Sequence, residues 1–277
     1  MPNNPDTEII ERWLYGRPSP TQKAYLRDVT RALSWMGDPA IADVTLAKLQ
    51  DYQAHLFHQL RQAPGTVNRK MSALRSLLRF AHEQEYIERN PALWLRSPKV
   101  EKNLHERILT TEQVRKIFES APLGRDRVFL KTVYATGARA SELCGAKAIA
   151  WKDFRHRSDG NIDVMIFATK TNSWRSVGIS PSVWIDIESL RGEALSTDKV
   201  FPFDRKRGHE IMKAAATKAG IPNASLHWMR HSRISHLLEA GAPLPLVRDE
   251  AGHSNISTTD VYSHNTRKES GSDYLSL

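Results

Sequence analysis

Three short stretches near the C-terminus carry side chains that could bind and attack a phosphodiester. His227 and Arg230 lie three residues apart, a spacing that places both on one face of a helix. His253 follows Gly252, and Tyr262 lies nine residues after that histidine. A guanidinium and two imidazoles can surround a phosphate with hydrogen-bond donors, and a nearby tyrosine hydroxyl can act as a nucleophile. Together they predict transesterification at DNA, although each residue alone is more often an ordinary surface or core residue.

The flanking sequence predicts the elements that would position these side chains. Apolar residues within 234–238 form a stripe that anchors the helix carrying the first pair. Residues 246–251 are predicted to form a short helix that is closed by Gly252. Ser257, with an acidic residue three positions later, is a weak capping-box signal for a further helix. We therefore expect Tyr262 in the second turn of that helix.

These motifs resemble the signature of the tyrosine site-specific recombinases, also called the phage integrase family. The shared pattern is His-x-x-Arg, then Gly-His-Ser, then a tyrosine nine residues after that histidine. The resemblance implies two further features, an arginine in a Thr-Gly-x-Arg-x-Ser-Glu-Leu motif and a lysine on a hairpin. Residues 136–143 read Thr-Gly-Ala-Arg-Ala-Ser-Glu-Leu and supply Arg139, and residues 168–172 read Ala-Thr-Lys-Thr-Asn and supply Lys170.

The resemblance also implies a role for each catalytic residue. Tyr262 would attack the scissile phosphate, leaving a 3′-phosphotyrosyl bond and a free 5′ hydroxyl. Arg139 and Arg230 would bind the nonbridging oxygens, and His253 would donate a further hydrogen bond. His227 would serve as general base or as a hydrogen-bond partner.

Two more side chains take part in the predicted site. Lys170 lies between two alternating apolar stretches, a pattern that predicts a hairpin with the lysine at its tip. By resemblance it is the general acid for the 5′ oxygen, whereas from its position alone it would be a solvated turn residue. Glu142 is expected to share a face with Arg139 and orient it, and the alternative is a surface ion pair between the two.

No cofactor is expected, because exchanging one phosphodiester for another requires neither ATP nor a metal. His227 and His231 have the spacing of a zinc-binding helix, but Trp228 occupies the position where such proteases have a glutamate. Trp228 and Met229 also depart from the acidic residue and leucine that the family commonly has there. Because these are packing positions, we expect activity to be retained.

Composition fits a nucleic-acid partner. The chain has 277 residues, enough for two modest domains, and carries a formal net charge of +9. Such a charge suits a polyanion but is a weak signal alone. The single cysteine, Cys144, excludes an internal disulfide and is expected to be a small buried core residue. With no signal-like or membrane-spanning stretch, we expect a cytoplasmic protein that does not contact membranes.

The N-terminal part is predicted to be helical and to bind DNA. Polar side chains recur at helical spacing along one side of the predicted third helix, opposite an apolar side, and they are Asn68, Ser72, Arg75 and Arg79. The alternative is an ordinary solvated helix surface. The predicted division of the chain is an N-terminal extension (1–17), a helical core-binding domain (18–98), a linker (99–107) and a catalytic domain with a short tail (108–277).

The expected fold class is mostly α with a small β-hairpin or sheet. The resemblance implies a SAM-like core-binding domain and a catalytic domain that together form a C-shaped clamp around DNA. It also implies a homotetramer on paired sites with short inverted repeats, and strand exchange through a Holliday junction. Two alternatives remain open: a topoisomerase of the same chemistry that relaxes supercoils, and a catalytically silent DNA-binding regulator.

Overall fold

A computed structural model describes residues 5–98, 107–168 and 172–252. The chain divides into two compact units, residues 1–102 and residues 103–277. Within the described ranges, no helix combines the length and apolar character needed to cross a membrane. Each unit has its own buried core, as expected for chain segments of this size.

The first unit is entirely helical over its described residues. A short 3₁₀ turn (Ile41–Asp43) precedes the third helix, and a π-helical turn (His55–Gln59) follows it. Thr45 caps the third helix, since its side chain accepts a hydrogen bond from the Lys48 amide at 3.3 Å. The helices are α1 (Pro5–Leu14), α2 (Ser19–Trp35), α3 (Leu46–Ala54) and α4 (Pro64–Glu83).

Helix α1 is part of the core of the first unit. Ile9, Trp13 and Leu14 are buried against the other helices, and the Trp13 indole donates a hydrogen bond to the Ser76 hydroxyl at 3.1 Å. Residues 1–17, which we expected only as an extension, therefore include a packed helix. The large apolar side chain of Trp13 gives the reason, because its burial stabilises the docked helix.

Helix α4 carries the predicted apolar side. It starts at Pro64, after Ala63. Proline suits the first turn because its fixed φ is helical and its missing amide would be unpaired there anyway. The apolar side is confirmed, since all its members are buried: Val67, Met71, Leu74, Leu78 and Ala81.

The second unit combines helices with one small sheet. Its first helix begins with a capping box, in which Thr110 and Gln113 exchange side-chain and backbone hydrogen bonds. The elements in chain order are α5 (Thr111–Ser120), α6 (Arg125–Thr136), α7 (Ala140–Leu143), β1 (Phe154–His156), β2 (Ile162–Ala168), β3 (Ser173–Ile179), α8 (Pro181–Glu188), α9 (Arg205–Lys218), α10 (Leu226–Glu239) and α11 (Leu244–Ala251).

The sheet is antiparallel with the order β1-β2-β3. Ile162 pairs with Ile179 and Val164 with Val177, so that alternating apolar residues face the core, as the period-two pattern predicts. Strand β1 was not predicted, because three residues are too few to show a period. Helix α9 begins with a mostly charged stretch, residues 205–210, that lacks apolar periodicity.

The fold class predicted from the sequence is confirmed. Helices dominate both units, and the second holds the small sheet. Its core is built around Phe129, which packs edge-to-face on Phe201 with ring centroids 5.2 Å apart. Cys144 is fully buried in this core beside Phe129, as expected. This packed support carries the candidate site on α7, α10 and α11.

Candidate active site

Helix α10 presents His227 and Arg230 one turn apart. The helix is capped by Ser225, whose hydroxyl accepts a hydrogen bond from the Trp228 amide at 3.3 Å. His227 remains exposed, whereas Arg230 is only 3% exposed. The two side chains therefore meet different environments, one open to an incoming ligand and one held by the protein.

The Arg230 guanidinium joins two chain turns that are distant in sequence. One terminal nitrogen donates to the backbone carbonyl of Gly137, and the other donates to that of Ala251. Burial, together with the neighbouring Arg139, lowers the pKa of Arg230 to about 9. Of the five N–H donors of the guanidinium, these two bonds use one on each terminal nitrogen. A buried cation with this pKa favours a site that an anion would complete.

Arg139 follows the left-handed turn that ends α6. Gly137 has a φ of +59°, a conformation in which glycine has no Cβ penalty, and it directs the chain away from the helix. Glu142, at 1% exposure, accepts hydrogen bonds from the Arg139 amide at 2.8 Å and from its guanidinium at 2.9 Å. Glu142 thus contacts Arg139 as predicted, but the pair is not a surface ion pair, because the carboxylate is buried.

Four guanidiniums share two carboxylates around this point, which we call the guanidinium cluster. Arg175 on β3 donates to Glu142 at 2.7 Å, and Arg233 on α10 donates to Glu250 at 2.6 Å. Despite burial, the Arg175 and Arg139 partners lower the pKa of Glu142, so it stays ionised. Four positive charges against two negative ones leave an excess of two. The members of the cluster are Arg139, Arg175, Arg230 and Arg233.

The electrostatics of the cluster extend to His227. Loss of water around part of the ring lowers the pKa of His227, and the guanidiniums of Arg230, Arg139 and Arg107 lower it further. A neutral imidazole is therefore the dominant form at pH 7. Such a ring can accept a proton or a hydrogen bond at one nitrogen while donating at the other.

Three of the six predicted catalytic residues lie outside the described residues: Lys170, His253 and Tyr262. The expected helix carrying Tyr262 also falls outside the described ranges. In sequence, Lys170 lies between the end of β2 and the start of β3, and His253 comes directly after Gly252, the left-handed residue that closes α11. The structure therefore brings together Arg139, Glu142, His227 and Arg230 from the predicted site.

The predicted DNA-binding side of α4 is largely engaged within its own unit. Asn68 donates to the Pro98 carbonyl at 3.0 Å, and Arg75 donates to the Leu95 carbonyl at 3.0 Å. The Ser72 hydroxyl donates to a backbone carbonyl one turn earlier. Arg79 is exposed and forms an ion pair with Glu83 at 2.8 Å. The contacts of Asn68 and Arg75 hold the segment that follows α4, a role that helical periodicity alone did not predict.

A second basic group in the first unit was missed. Asp28 on α2 is 1% exposed and forms an ion pair with Arg69 on α4. Burial, together with the nearby Arg31, Arg69 and Arg27, lowers the pKa of Lys70, although Asp28 opposes this. Arg27, Arg31, Arg69 and Lys70 thus form a basic group near the carboxylate of Asp28, and we call them the cations around Asp28. The spacing of Arg27 and Arg31 on α2 was a signal that could have revealed this group.

Within the described ranges, no group of three or more His, Cys, Asp or Glu side chains could hold a metal ion. His227 and His231 stand edge to face, with ring centroids 4.2 Å apart. No acidic side chain joins them on α10 in the way that a zinc-binding helix would require.

Two protein-family models match this chain. One is described as Phage integrase family and covers residues 107–269, and the other is described as Phage integrase, N-terminal SAM-like domain and covers residues 16–85. Tyrosine recombinase XerD from Staphylococcus aureus is 30% identical over 94% of this chain and 95% of its own. Tyrosine recombinase XerC from Xanthomonas campestris pv. campestris is 29% identical over 88% of this chain and 78% of its own.

Solved structures share the fold. A lambda integrase dimer bound to a COC′ core site has a TM-score of 0.74 at 17% identity, covering 95% of this chain and 97% of that one. A lambda integrase tetramer bound to a Holliday junction has a TM-score of 0.75 at 16% identity, covering 96% and 79%. At these identities the likeness concerns the fold alone.

Proposed function

This chain belongs to the phage integrase family of tyrosine recombinases, and we propose that it breaks and rejoins DNA strands with Tyr262 as the nucleophile. The family model covers more than half of the chain, which confirms the resemblance drawn from the motifs. One observation supports the site most strongly. The guanidinium cluster has two more positive charges than negative ones, with Arg139 as its most exposed member at 30%. A phosphodiester is the anion that such a site would bind.

In the proposed reaction, the Tyr262 oxygen attacks the scissile phosphorus in line. A bond forms between that oxygen and phosphorus, the bond from phosphorus to the 5′ oxygen breaks, and a 3′-phosphotyrosyl link results. Arg139 and Arg230 offset the charge that grows on the nonbridging oxygens, with His253 donating a further hydrogen bond. His227, held neutral by its surroundings, accepts the tyrosine proton or donates a hydrogen bond to the phosphate.

Lys170 completes the proton balance. It donates a proton to the departing 5′ oxygen, so that a neutral hydroxyl leaves. In the reverse step, a 5′ hydroxyl from a partner strand attacks the phosphotyrosyl link and releases Tyr262. The covalent link conserves the energy of the original phosphodiester, and therefore we propose that neither ATP nor a metal takes part. Strand exchange then follows from the choice of partner strand.

The proposed partner is double-stranded DNA with short inverted-repeat core sites, on which the protein acts as a homotetramer through a Holliday junction. The lambda integrase tetramer bound to a Holliday junction supports this assembly as a fold-level precedent. We also propose residues 18–98 as the core-binding domain, residues 99–107 as the linker and residues 108–277 as the catalytic domain. We further propose that the enzyme acts in the cytoplasm, where it has access to DNA.

In the first unit, we propose that the cations around Asp28 bind the DNA backbone. Arg27 and Arg31 are exposed on α2, and Arg69 on α4 belongs to the same basic group. Of the predicted residues on α4, Arg79 is the one whose charged group is exposed rather than bound to a backbone carbonyl. Cations that neutralise DNA phosphates release the counterions held by the DNA. These positions would therefore contribute DNA affinity that falls as the salt concentration rises.

Covalent trapping tests the proposed function. The protein would be incubated with nicked duplexes prepared from DNA flanking its own gene, then denatured, and the retained DNA would be sequenced. We expect adducts with the wild type and none with Tyr262→Phe, because the phenyl ring lacks the attacking oxygen. The sequenced ends would also identify the core site.

Other results would point to the alternatives. Binding without an adduct in either protein would support the silent DNA-binding regulator. Adducts on unrelated sequences, with relaxation of a supercoiled plasmid that carries a single site, would support a topoisomerase. Light scattering on the trapped complex distinguishes a tetramer from a monomer on paired sites, and a monomer would contradict the proposed assembly.

A further inference from the structure

Arg175 is a buried cation on the strand that follows the predicted catalytic lysine. It lies five residues after Lys170, within β3, and its side chain is 8% exposed. Burial of a guanidinium is costly unless its N–H groups find acceptors. Arg175 bonds to two elements outside the sheet, so its position in the fold suggests a task beyond packing.

The first bond links Arg175 to the support of a phosphate-binding arginine. Nη2 of Arg175 donates to Oε2 of Glu142 at 2.7 Å, and that same oxygen accepts the Arg139 amide at 2.8 Å. The other oxygen of Glu142 accepts the Arg139 guanidinium at 2.9 Å. Glu142 is therefore shared between Arg139, at the start of α7, and the arginine on the hairpin strand.

The second bond links Arg175 to the end of α11. Nε of Arg175 donates to the backbone carbonyl of Glu250 at 2.8 Å. Its side chain also lies close against Gly252, where a Cβ would come within 3.2 Å of the Arg175 Cδ. Gly252 immediately precedes His253 in the chain, so Arg175 contacts the chain where it leaves α11.

The same helix end is attached to β3 by another route. The Glu250 carboxylate accepts the Gly178 amide of β3 at 3.3 Å through one oxygen and Arg233 at 2.6 Å through the other. The remaining terminal nitrogen of Arg175 is buried and has no hydrogen-bond partner among the described residues. The planar guanidinium of Arg175 serves Glu142 and the Glu250 carbonyl from two different nitrogens, whereas a lysine ammonium offers a single nitrogen.

We propose that Arg175 is a positioning residue that fixes the strand leading from Lys170 relative to Arg139 and to the chain entering His253. It would set where the proton donor meets the 5′ oxygen while the guanidiniums hold the phosphate. This inference rests on the proposed function, in which Lys170 is the general acid. It assigns to one buried fork the attachment of β3 to Glu142 and to the end of α11.

A leaving-group experiment tests this role. Adduct formation would be timed on two nicked duplexes of the same core site, one with the natural 5′ oxygen and one with sulfur at that bridging position. A thiolate departs without protonation, so the sulfur substrate does not need a general acid. We expect Arg175→Lys to slow cleavage of the oxygen substrate by about tenfold or more, since a positioned acid commonly contributes ~10²–10⁴. Cleavage of the sulfur substrate should recover most of that loss.

Two variants provide the comparison. Lys170→Ala should show the same recovery with sulfur. Arg233→Lys is a matched control, because it changes an equally buried arginine that donates to Glu250 and to the Ala135 carbonyl at 2.8 Å. We expect it to slow both substrates equally. The ratio of the two rates is measured within one protein sample, so a partly folded variant does not alter it.

The outcomes separate this inference from the proposed function. If Arg175→Lys keeps the wild-type ratio of sulfur to oxygen rates, Arg175 does not position the acid and the inference is overturned. If the ratio of sulfur to oxygen rates rises equally for Arg233→Lys, the inference is also overturned. The effect would then come from a general loss of packing around the site. If the wild type forms no adduct on either substrate, the proposed function itself fails.

Discussion

Arg230 donates a hydrogen bond to the backbone carbonyl of Gly137, the left-handed residue that ends α6. The two residues lie 93 positions apart in the chain. Since Arg139 follows Gly137 by two residues, this bond places the Arg230 guanidinium against the turn that leads to Arg139. This bond, together with the one to the Ala251 carbonyl, fixes the Arg230 guanidinium beside that turn.

Replacing Gly137 tests how much that turn contributes. In Gly137→Ala, the φ of +59° costs roughly 1–2 kcal/mol for a residue with a Cβ. The new Cβ would also lie 3.1 Å from the Arg233 Cδ, so the guanidinium cluster must shift. We expect a loss of unfolding free energy, measured by chemical denaturation, and slower adduct formation.

Gly160→Ala is the matched control for that variant. Gly160 has a φ of +83° in the turn between β1 and β2, and nothing lies within 4 Å of the point that a Cβ would occupy, so only backbone strain is added. We expect a comparable loss of stability with normal adduct formation. Equal losses of activity in the two variants would contradict a specific role for the Gly137 turn.

The lowered pKa of His227 predicts a stability effect on the acid side. Loss of water and nearby guanidiniums favour the neutral ring in the folded state, whereas the unfolded chain keeps the ordinary pKa near 6.5. The contribution of His227 to folding stability is therefore fully present above the pKa of the unfolded chain. It is lost as the pH falls from there toward the lowered pKa of the folded state. Below about pH 6, the unfolding free energy of the wild type should therefore fall relative to that of His227→Gln. A pH-independent difference would contradict this.

Cys144 should resist thiol reagents in the folded protein. Burial raises its pKa to about 11, and its thiol donates to the Ala140 carbonyl at 3.0 Å. The thiol is therefore inaccessible to reagents, and the reactive thiolate is disfavoured. Maleimide labelling at about pH 8, followed by mass spectrometry, should be slow in buffer and fast in denaturant. Labelling in buffer at the denatured rate would show that the core around α7 is open.

The cations around Asp28 predict a change in the salt dependence of DNA binding. In the double variant Arg27→Ala with Arg31→Ala, each lost phosphate contact should reduce the slope of log K against log salt by about 0.9. Arg12→Ala is the control in the same unit, because Arg12 is exposed on α1 and paired with Glu8. Fluorescence anisotropy at several salt concentrations measures both. An unchanged slope in the double variant would place the DNA on another face.

Much of the site was predictable because its residues can be recognised by type and local spacing. The three-residue step from His227 to Arg230, and that from Arg139 to Glu142, each fall within one turn, where sequence determines which side chains share a face. The alternating apolar residues of β2 likewise revealed a strand. The same local patterns predicted the mostly helical class and the family.

Only the tertiary structure decided which groups from distant parts of the chain complete the site. Arg175 meets Glu142 across 33 positions, and no local spacing connects a strand to a helix start. Periodicity placed Asn68 on a polar face of its helix. It did not reveal that Asn68 donates to the Pro98 carbonyl, which belongs to a distant segment. Side-chain periodicity reports on one element at a time. The partners of a buried charge depend on how the elements pack, and therefore they emerge only in the folded chain.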